Sequence, residues 1–246
     1  ILRERSLEVQ HALVQQAAAS EAKAGSVEAK IGDIWKTGSD EAKIEAAGLA
    51  PLQPQLDKIA ALGDTAAITR YLRDSQAQGQ GVLFSLFANA DYKDSANVIA
   101  YVGQGGLGLP EKGYYFDDAQ AKIRDAYVAY IAKALELSGV PAADAATQAK
   151  DVLAFETRLA KVSKSSEEMS RDVGLYYNPV SPADADKLSP NFPFTKLFES
   201  QGVAVPAMFS LSVPAYHAEV SKMLAEVPAS QWKSYLRFHL IDGAAP

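Results

Sequence analysis

Asn97-Val-Ile-Ala-Tyr-Val-Gly103-Gln-Gly105-Gly106-Leu-Gly108-Leu-Pro110-Glu-Lys-Gly-Tyr114-Tyr115-Phe116 decides how the rest of the chain is read. Gly103, Gly105 and Gly108 satisfy G-x-G-x-x-G behind an apolar, β-prone run, the spacing of a dinucleotide-binding turn. Such a turn works only when the third glycine feeds straight into a helix, whose N-terminal amides and dipole hold the pyrophosphate. Here the third glycine is followed by Leu109-Pro110, and proline drives the residue before it away from helical geometry. Gly113 weakens any helix begun at Pro110. The next helix start in the sequence is Asp117, too far along to serve a phosphate at the glycines. The stretch therefore reads as a strand, a glycine-rich turn and an aromatic segment, and no nucleotide site is expected.

Upstream of it, Val82 to Ala88 is short, apolar and aromatic, and Asp91 to Ala96 is polar and turn-like. With Asn97 to Val102 these segments predict one small β-hairpin at about 82–103. Helical spacing governs nearly everything else. Leu2, Val9, Leu13 and Val14 fall near one face of a first helix that stops near Gly25. Val27, Ile31, Ile34 and Trp35 follow behind Ser26 as N-cap, and Ser39 is expected to cap a short helix ending at Gly48. Leu52, Leu56 and Ile59 mark a helix closed by Gly63, and Asp64 caps the next. Beyond the glycines, Ile123, Tyr127, Tyr130, Ile131 and Leu135 form one apolar face. Pro141 opens a helix that buries Val152, Phe155, Leu159 and Val162. Short helices at 183–188 and 195–200, a single strand at 207–213, and helices at about 214–226 and 229–241 complete a mainly α, multi-helix reading. There is no repeat and no obvious linker.

The chain has 246 residues, 48% apolar and 22% charged, which is ordinary globular composition with room for a sizeable core. Thirty acidic against 24 basic residues leave a net charge of −6, which argues against a broad nucleic-acid-binding face. No apolar run approaches the roughly 18 residues of a membrane span. The absence of cysteine excludes disulfides, thiol nucleophiles and thiolate metal sites. The chain opens on Ile1 rather than methionine, so a processed or excised segment is expected, and any signal or anchor would lie upstream.

No complete catalytic set emerges. His11, His217 and His239 each fall on an expected helix, and none has a second histidine one turn away. A His-Glu-x-x-His zinc site needs that pair, so His217-Ala218-Glu219 is a fragment without its second ligand. No G-x-S-x-G elbow occurs. Asp117-Asp118 and Glu167-Glu168 suit helix starts, where carboxylates favour the dipole. Tyr114-Tyr115 and Tyr176-Tyr177 are expected to pack. Neither catalytic nor metal residues are assigned, and no cofactor is expected in this chain.

An ordered series of blocks resembles the neprilysin and endothelin-converting-enzyme family of zinc metallopeptidases. Leu107-Gly-Leu-Pro110 with Tyr114-Tyr115 carries the resemblance first. Ile34-Trp35-Lys-Thr-Gly-Ser-Asp40-Glu41 and Ile44-Glu-Ala-Ala-Gly48-Leu-Ala-Pro51-Leu52 are similar to an early family block. Val82-Leu-Phe-Ser-Leu-Phe-Ala through Asn97-Val-Ile-Ala-Tyr is similar to the family hairpin. Phe155-Glu156-Thr-Arg-Leu159-Ala160, Arg171-Asp172, Tyr177-Asn178-Pro179 and Trp232-Lys-Ser-Tyr235-Leu236 with Phe238 follow in family order. The blocks cover nearly the whole chain.

The resemblance implies that residues 1–246 form the N-terminal helical lobe, which restricts a central cavity to smaller peptides. The zinc, His-Glu-x-x-His and a downstream glutamate belong to the C-terminal lobe, which is absent here. No catalytic or metal residue carries over, and the chain alone is expected to be inactive. Ile1-Leu2-Arg3 resembles the tail of the family's "aromatic-x-x-Leu-Arg" helix start, so Arg3 is the candidate substrate-binding residue, a charged donor to a peptide carboxylate or carbonyl. The alternative for Arg3 is an exposed arginine at a helix start. The implied partners are a peptide substrate and the catalytic lobe, with Zn in the parent enzyme. Lack of cysteine departs from animal members and is similar to bacterial ones, which implies a periplasmic or extracellular bacterial protein. The competing function is a free-standing peptide- or protein-binding helical module.

Overall fold

The computed structural model describes residues 2–244, and their chain path divides between Gln53 and Pro54 into two compact units. The first contains α1 (Leu2–Ala19), α2 (Val27–Ser39) and α3 (Glu41–Ala47). Ser26 caps α2 as expected, its Oγ accepting the Ala29 N–H at 3.1 Å. The cap of α3 is Asp40 rather than Ser39: α2 runs on through Ser39, and the Asp40 carboxylate accepts the Lys43 N–H. Both residue types suit a cap, and the one that leaves helical geometry takes the role. Helices α1 and α2 meet at small residues. A Cβ on Gly32 would stand 2.6 Å from the Ala17 carbonyl oxygen, so only glycine admits this approach.

The second unit takes in α4 (Gln53–Ala60) from its second residue and then α5 (Thr65–Ala77), followed by strands β1 (Phe84–Ala90) and β2 (Val98–Gln104). After the glycine-rich loop and two short 3-10 turns come α6 (Ala121–Leu137), α7 (Ala142–Val162), α8 (Ser166–Arg171) and α9 (Val173–Tyr176). Then follow β3 (Pro179–Val180), α10 (Pro182–Leu188), α11 (Phe194–Ser200), β4 (Phe209–Leu211), α12 (Pro214–Glu226) and α13 (Ala229–Asp242). The mainly α expectation holds, and the hairpin at 82–103 is present as β1 and β2, paired antiparallel from Phe84↔Gln104 to Ala90↔Val98.

The hairpin is also extended. β4 pairs parallel with β2 through Tyr101↔Ser210 and Val102↔Leu211, and β3 pairs antiparallel with β4. The sheet order is β1-β2-β4-β3. The single strand expected at 207–213 is present as β4, shortened to three buried residues, Phe209–Leu211; what the sequence did not announce is its pairing with the hairpin.

Helix α7 runs through the core. Ala145, Ala149, Val152, Phe155, Leu159 and Ala160 are all buried. The alanines let neighbouring helices approach, and the large residues interlock with α13: Phe155 stacks on Tyr235 at 4.2 Å and meets Trp232 edge-on at 4.7 Å. Each such aromatic pair adds about 0.5–1.5 kcal/mol beyond its buried area. One backbone position is strained. Val213, between β4 and α12, has φ 50°, a left-handed conformation costing a β-branched residue about 1–3 kcal/mol. Its N–H donates to the Leu175 carbonyl, and the turn sends α12 back beneath the hairpin.

Candidate functional site

The glycine-rich loop is built around tyrosines rather than phosphate. Gly106 has φ 79°, and a Cβ there would lie 2.5 Å from the Tyr235 hydroxyl; one on Gly108 would lie 1.9 Å from the Tyr127 hydroxyl. The Tyr235 hydroxyl donates to the Gly106 carbonyl at 2.9 Å. The Tyr216 hydroxyl lies 2.9 Å from both the Leu83 and Gly105 carbonyls. The Leu109 N–H donates to the Tyr115 hydroxyl at 3.0 Å. Rings from α6, α12, α13 and the first 3-10 turn thus hold the loop from below. The glycines are the positions where those rings come too close for any side chain.

Under the loop lies a fully buried carboxylate. Glu156 accepts from the Tyr115 hydroxyl at 2.7 Å and from the Tyr127 hydroxyl at 2.9 and 3.0 Å, and it meets His239 Nε2 at 2.8 Å. Burial first, then the Glu156 charge, pushes the Tyr115 and Tyr127 hydroxyls well above their ordinary range, so both stay protonated donors. A negative charge beneath the loop opposes a phosphate above it. The next α-helix starts only at Ala121, which agrees with the sequence reading against a nucleotide.

On the sheet face turned away from the main hydrophobic cluster, aromatic rings stack over a fully buried Tyr101. Phe87 lies on Tyr101 at 5.5 Å, Tyr101 on Tyr176 at 5.6 Å, and Tyr92 on both Tyr176 and Tyr177 at 5.7 and 5.6 Å. Tyr92 is 53% exposed. Tyr177 donates to the Asp91 carboxylate, which pushes its own hydroxyl up to about 12 and holds Asp91 below the usual carboxylate range. An open cavity of about 520 Å³ runs between Tyr92 and Tyr176 on one side and Met169 and Val173 on the other, with Lys164 at its margin. Lys164 pairs with Glu168 at 3.0 Å. Glu168 completes the capping box with Ser165, and the Ser165 N–H, followed by Lys164, lowers its carboxyl to about 2. Aromatic pairs at 176–177 therefore pack, as expected, while keeping one face available.

The expected site residues are scattered. Arg3 lies in the first turn of α1 and is exposed; Ile1, the start of its motif, lies outside the described residues. His11 meets Trp35 edge-on at 5.2 Å. His217 is wholly buried, with Nε2 3.0 Å from the Ser212 carbonyl, and burial lowers its pKa to about 3, so it is neutral. Glu219, two residues further on, pairs with Arg158. Among the described residues no three His, Cys, Asp or Glu side chains converge on a point that a metal ion could occupy. The Glu156 cluster was not foreseen. Its signal was Glu156 itself, sitting among Val152, Phe155 and Leu159 on the face read as buried.

Comparison with known proteins gives a consistent picture. The N-terminal family model described as "Peptidase family M13" matches residues 1–246. Rat endothelin-converting enzyme-like 1 is 26% identical over 234 residues, covering 88% of this chain and 30% of the relative. Rat endothelin-converting enzyme 1 is 25% identical over 242 residues, covering 90% of this chain and 31% of the relative. The structure of Mycobacterium tuberculosis zinc metalloprotease ZMP1 in complex with inhibitor superposes with a TM-score of 0.90 and 28% identity, over 99% of this chain and 37% of that one. The chain thus spans about a third of the length of each protein.

Proposed function

The chain belongs to peptidase family M13, and on that premise we propose that it is the non-catalytic, N-terminal lobe of a zinc metallo-endopeptidase that hydrolyses peptides. The superposition on part of ZMP1 carries the reading, because nearly the whole chain overlays about a third of a zinc metalloprotease. The family's His-Glu-x-x-His does not occur in this sequence, so the metal and the bond-breaking groups are assigned to a separate C-terminal lobe. This lobe's contribution is a wall of the substrate cavity, and with it size selection.

Arg3 is the proposed contact with substrate: an exposed guanidinium on the first turn of α1, able to donate two parallel N–H bonds to a peptide carboxylate. No helix among the described residues is long and apolar enough to cross a membrane. An extracytoplasmic bacterial location is proposed on the lack of cysteine, the feature shared with bacterial members of the resemblance.

The test uses the purified chain and an internally quenched peptide. No hydrolysis is expected with or without added Zn²⁺. Cleavage that scales with bound zinc and disappears on chelation would overturn the assignment of a non-catalytic lobe.

A further inference from the structure

A second cavity, of about 320 Å³, opens between α4, α7 and α13, on the small side for ligand sites, which run from ~300 to 1,000 Å³. Its apolar part is Leu56 and Ile59, one turn apart on α4, with Val140. Its charged part comes from two facing helices. Asp151 projects from α7, and Lys233 and Arg237, also one turn apart, project from α13.

Neither cation has a carboxylate partner among the described residues. Arg237 is nevertheless fixed in place: its Nε donates to Ser138 Oγ at 2.9 Å and one Nη donates to the Ser138 carbonyl at the end of α6. The other Nη has no hydrogen-bond partner among the described residues. Both side chains are half-buried, so each has lost part of its hydration without an ion-pair contact in return. Among the described residues Asp151 is held only by the Gln231 side-chain amide, at 3.4 Å.

Two cations, one carboxylate and an apolar wall in a small cavity match a specific chemistry. We propose that this cavity binds a small zwitterion with an apolar side chain, an aliphatic α-amino acid or dipeptide. Its carboxylate would lie on Lys233 and Arg237, its ammonium on Asp151, and its side chain on Leu56, Ile59 and Val140. A phosphate or simple anion fits less well, because it would meet Asp151 and leave the apolar wall wet. All of its lining residues belong to this chain, so the proposal does not rest on the metallopeptidase reading.

Isothermal titration of the intact chain with L-leucine and with L-leucyl-L-leucine tests this and tells the two ligand sizes apart. Saturable one-site binding of at least one of them is expected. N-acetyl-leucyl-leucine, without the ammonium, and leucyl-leucinamide, without the carboxylate, are each expected to bind about tenfold more weakly. Lys233→Ala and Asp151→Asn should each weaken the parent zwitterion by about the same factor with unchanged thermal unfolding. Arg237 is left intact because its bond to Ser138 also closes α6. The proposal is overturned if neither zwitterion binds, if the blocked ligands bind as tightly, or if both variants bind like the parent. None of those results would touch the M13 lobe reading, which stands or falls on the hydrolysis assay.

Discussion

Gly108→Ala is the sharpest test of the tyrosine-supported loop. The new methyl would stand 1.9 Å from the Tyr127 hydroxyl oxygen and 2.8 Å from its ring carbon, whereas non-bonded heavy atoms rest about 3.5 Å apart. The ring must retreat by about 1.5 Å to restore that spacing. Its hydrogen bonds to Glu156, now 2.9 and 3.0 Å, would then break. Losing a hydrogen bond to a buried charge costs about 1.5–3 kcal/mol. Forcing an extra methyl into a packed interior adds about 1–3 kcal/mol. The expected destabilisation is therefore about 2.5–6 kcal/mol, a large share of the ~5–15 kcal/mol that holds a domain together. Urea unfolding followed by Trp232 fluorescence, in a Trp35→Phe background, reads the second unit alone. Gly63→Ala is the control, since nothing lies within 4 Å of its added Cβ, and it should change stability by less than about 0.5 kcal/mol. Combining Gly108→Ala with Tyr127→Phe should cost about 1–2 kcal/mol less than the sum of the two singles, because the clashing oxygen is gone. A Gly108→Ala protein as stable as its parent would refute the account of the glycines.

Three further outcomes follow from the same geometry. Glu156→Ala strands the Tyr115 and Tyr127 hydroxyls and His239 without their acceptor and should lower unfolding free energy by about 3–5 kcal/mol, measured by the same urea titration. His217 has its folded pKa lowered to about 3 from an ordinary value of 6.5, so between these values the unfolded chain binds the extra proton. Its contribution is complete above pH 6.5 and is lost as pH falls, about 2 kcal/mol of it between pH 7 and pH 5; His217→Gln should flatten that slope, and equal slopes in parent and variant would contradict it. Arg3→Ala should leave stability within about 0.5 kcal/mol, because Arg3 is exposed, while weakening peptide binding in a fluorescence-anisotropy titration; unchanged affinity removes Arg3 from the substrate side.

Much of the fold was legible because its signals are local. Ser26 and Asp64 cap the helices they precede. Pro141 stands immediately before α7 and Pro214 opens α12. The hairpin strands lie within a few residues of their expected limits. The rejection of a nucleotide site was also legible, since Leu109-Pro110 forbids the helix a phosphate needs. What escaped is long-range. Tyr115, Tyr127, Glu156 and His239 meet from four separate segments, and no spacing rule links them. The pairing of β4 with β2 is invisible for the same reason. Ile123 and Tyr130, read on the apolar face of α6, remain 44% and 45% exposed, because the periodicity gives the stripe but not its width. Family membership was recoverable only from the ordered blocks, not from any single residue or pattern.

The parallel contact of β2 with β4 sets the order in which this molecule can assemble. β1 and β2 are neighbours in sequence and can zip together within microseconds. β4 arrives only after about a hundred further residues, so the closure entropy of that span must be met before the third strand is in place. During synthesis the inner rim of β2, with Tyr101 and Val102, stands bare until Phe209–Leu211 has emerged. A chain stopped before Phe209 would keep that rim permanently open, a ready template for sticking to its own copies. The window between the two events is when this polypeptide most needs a chaperone.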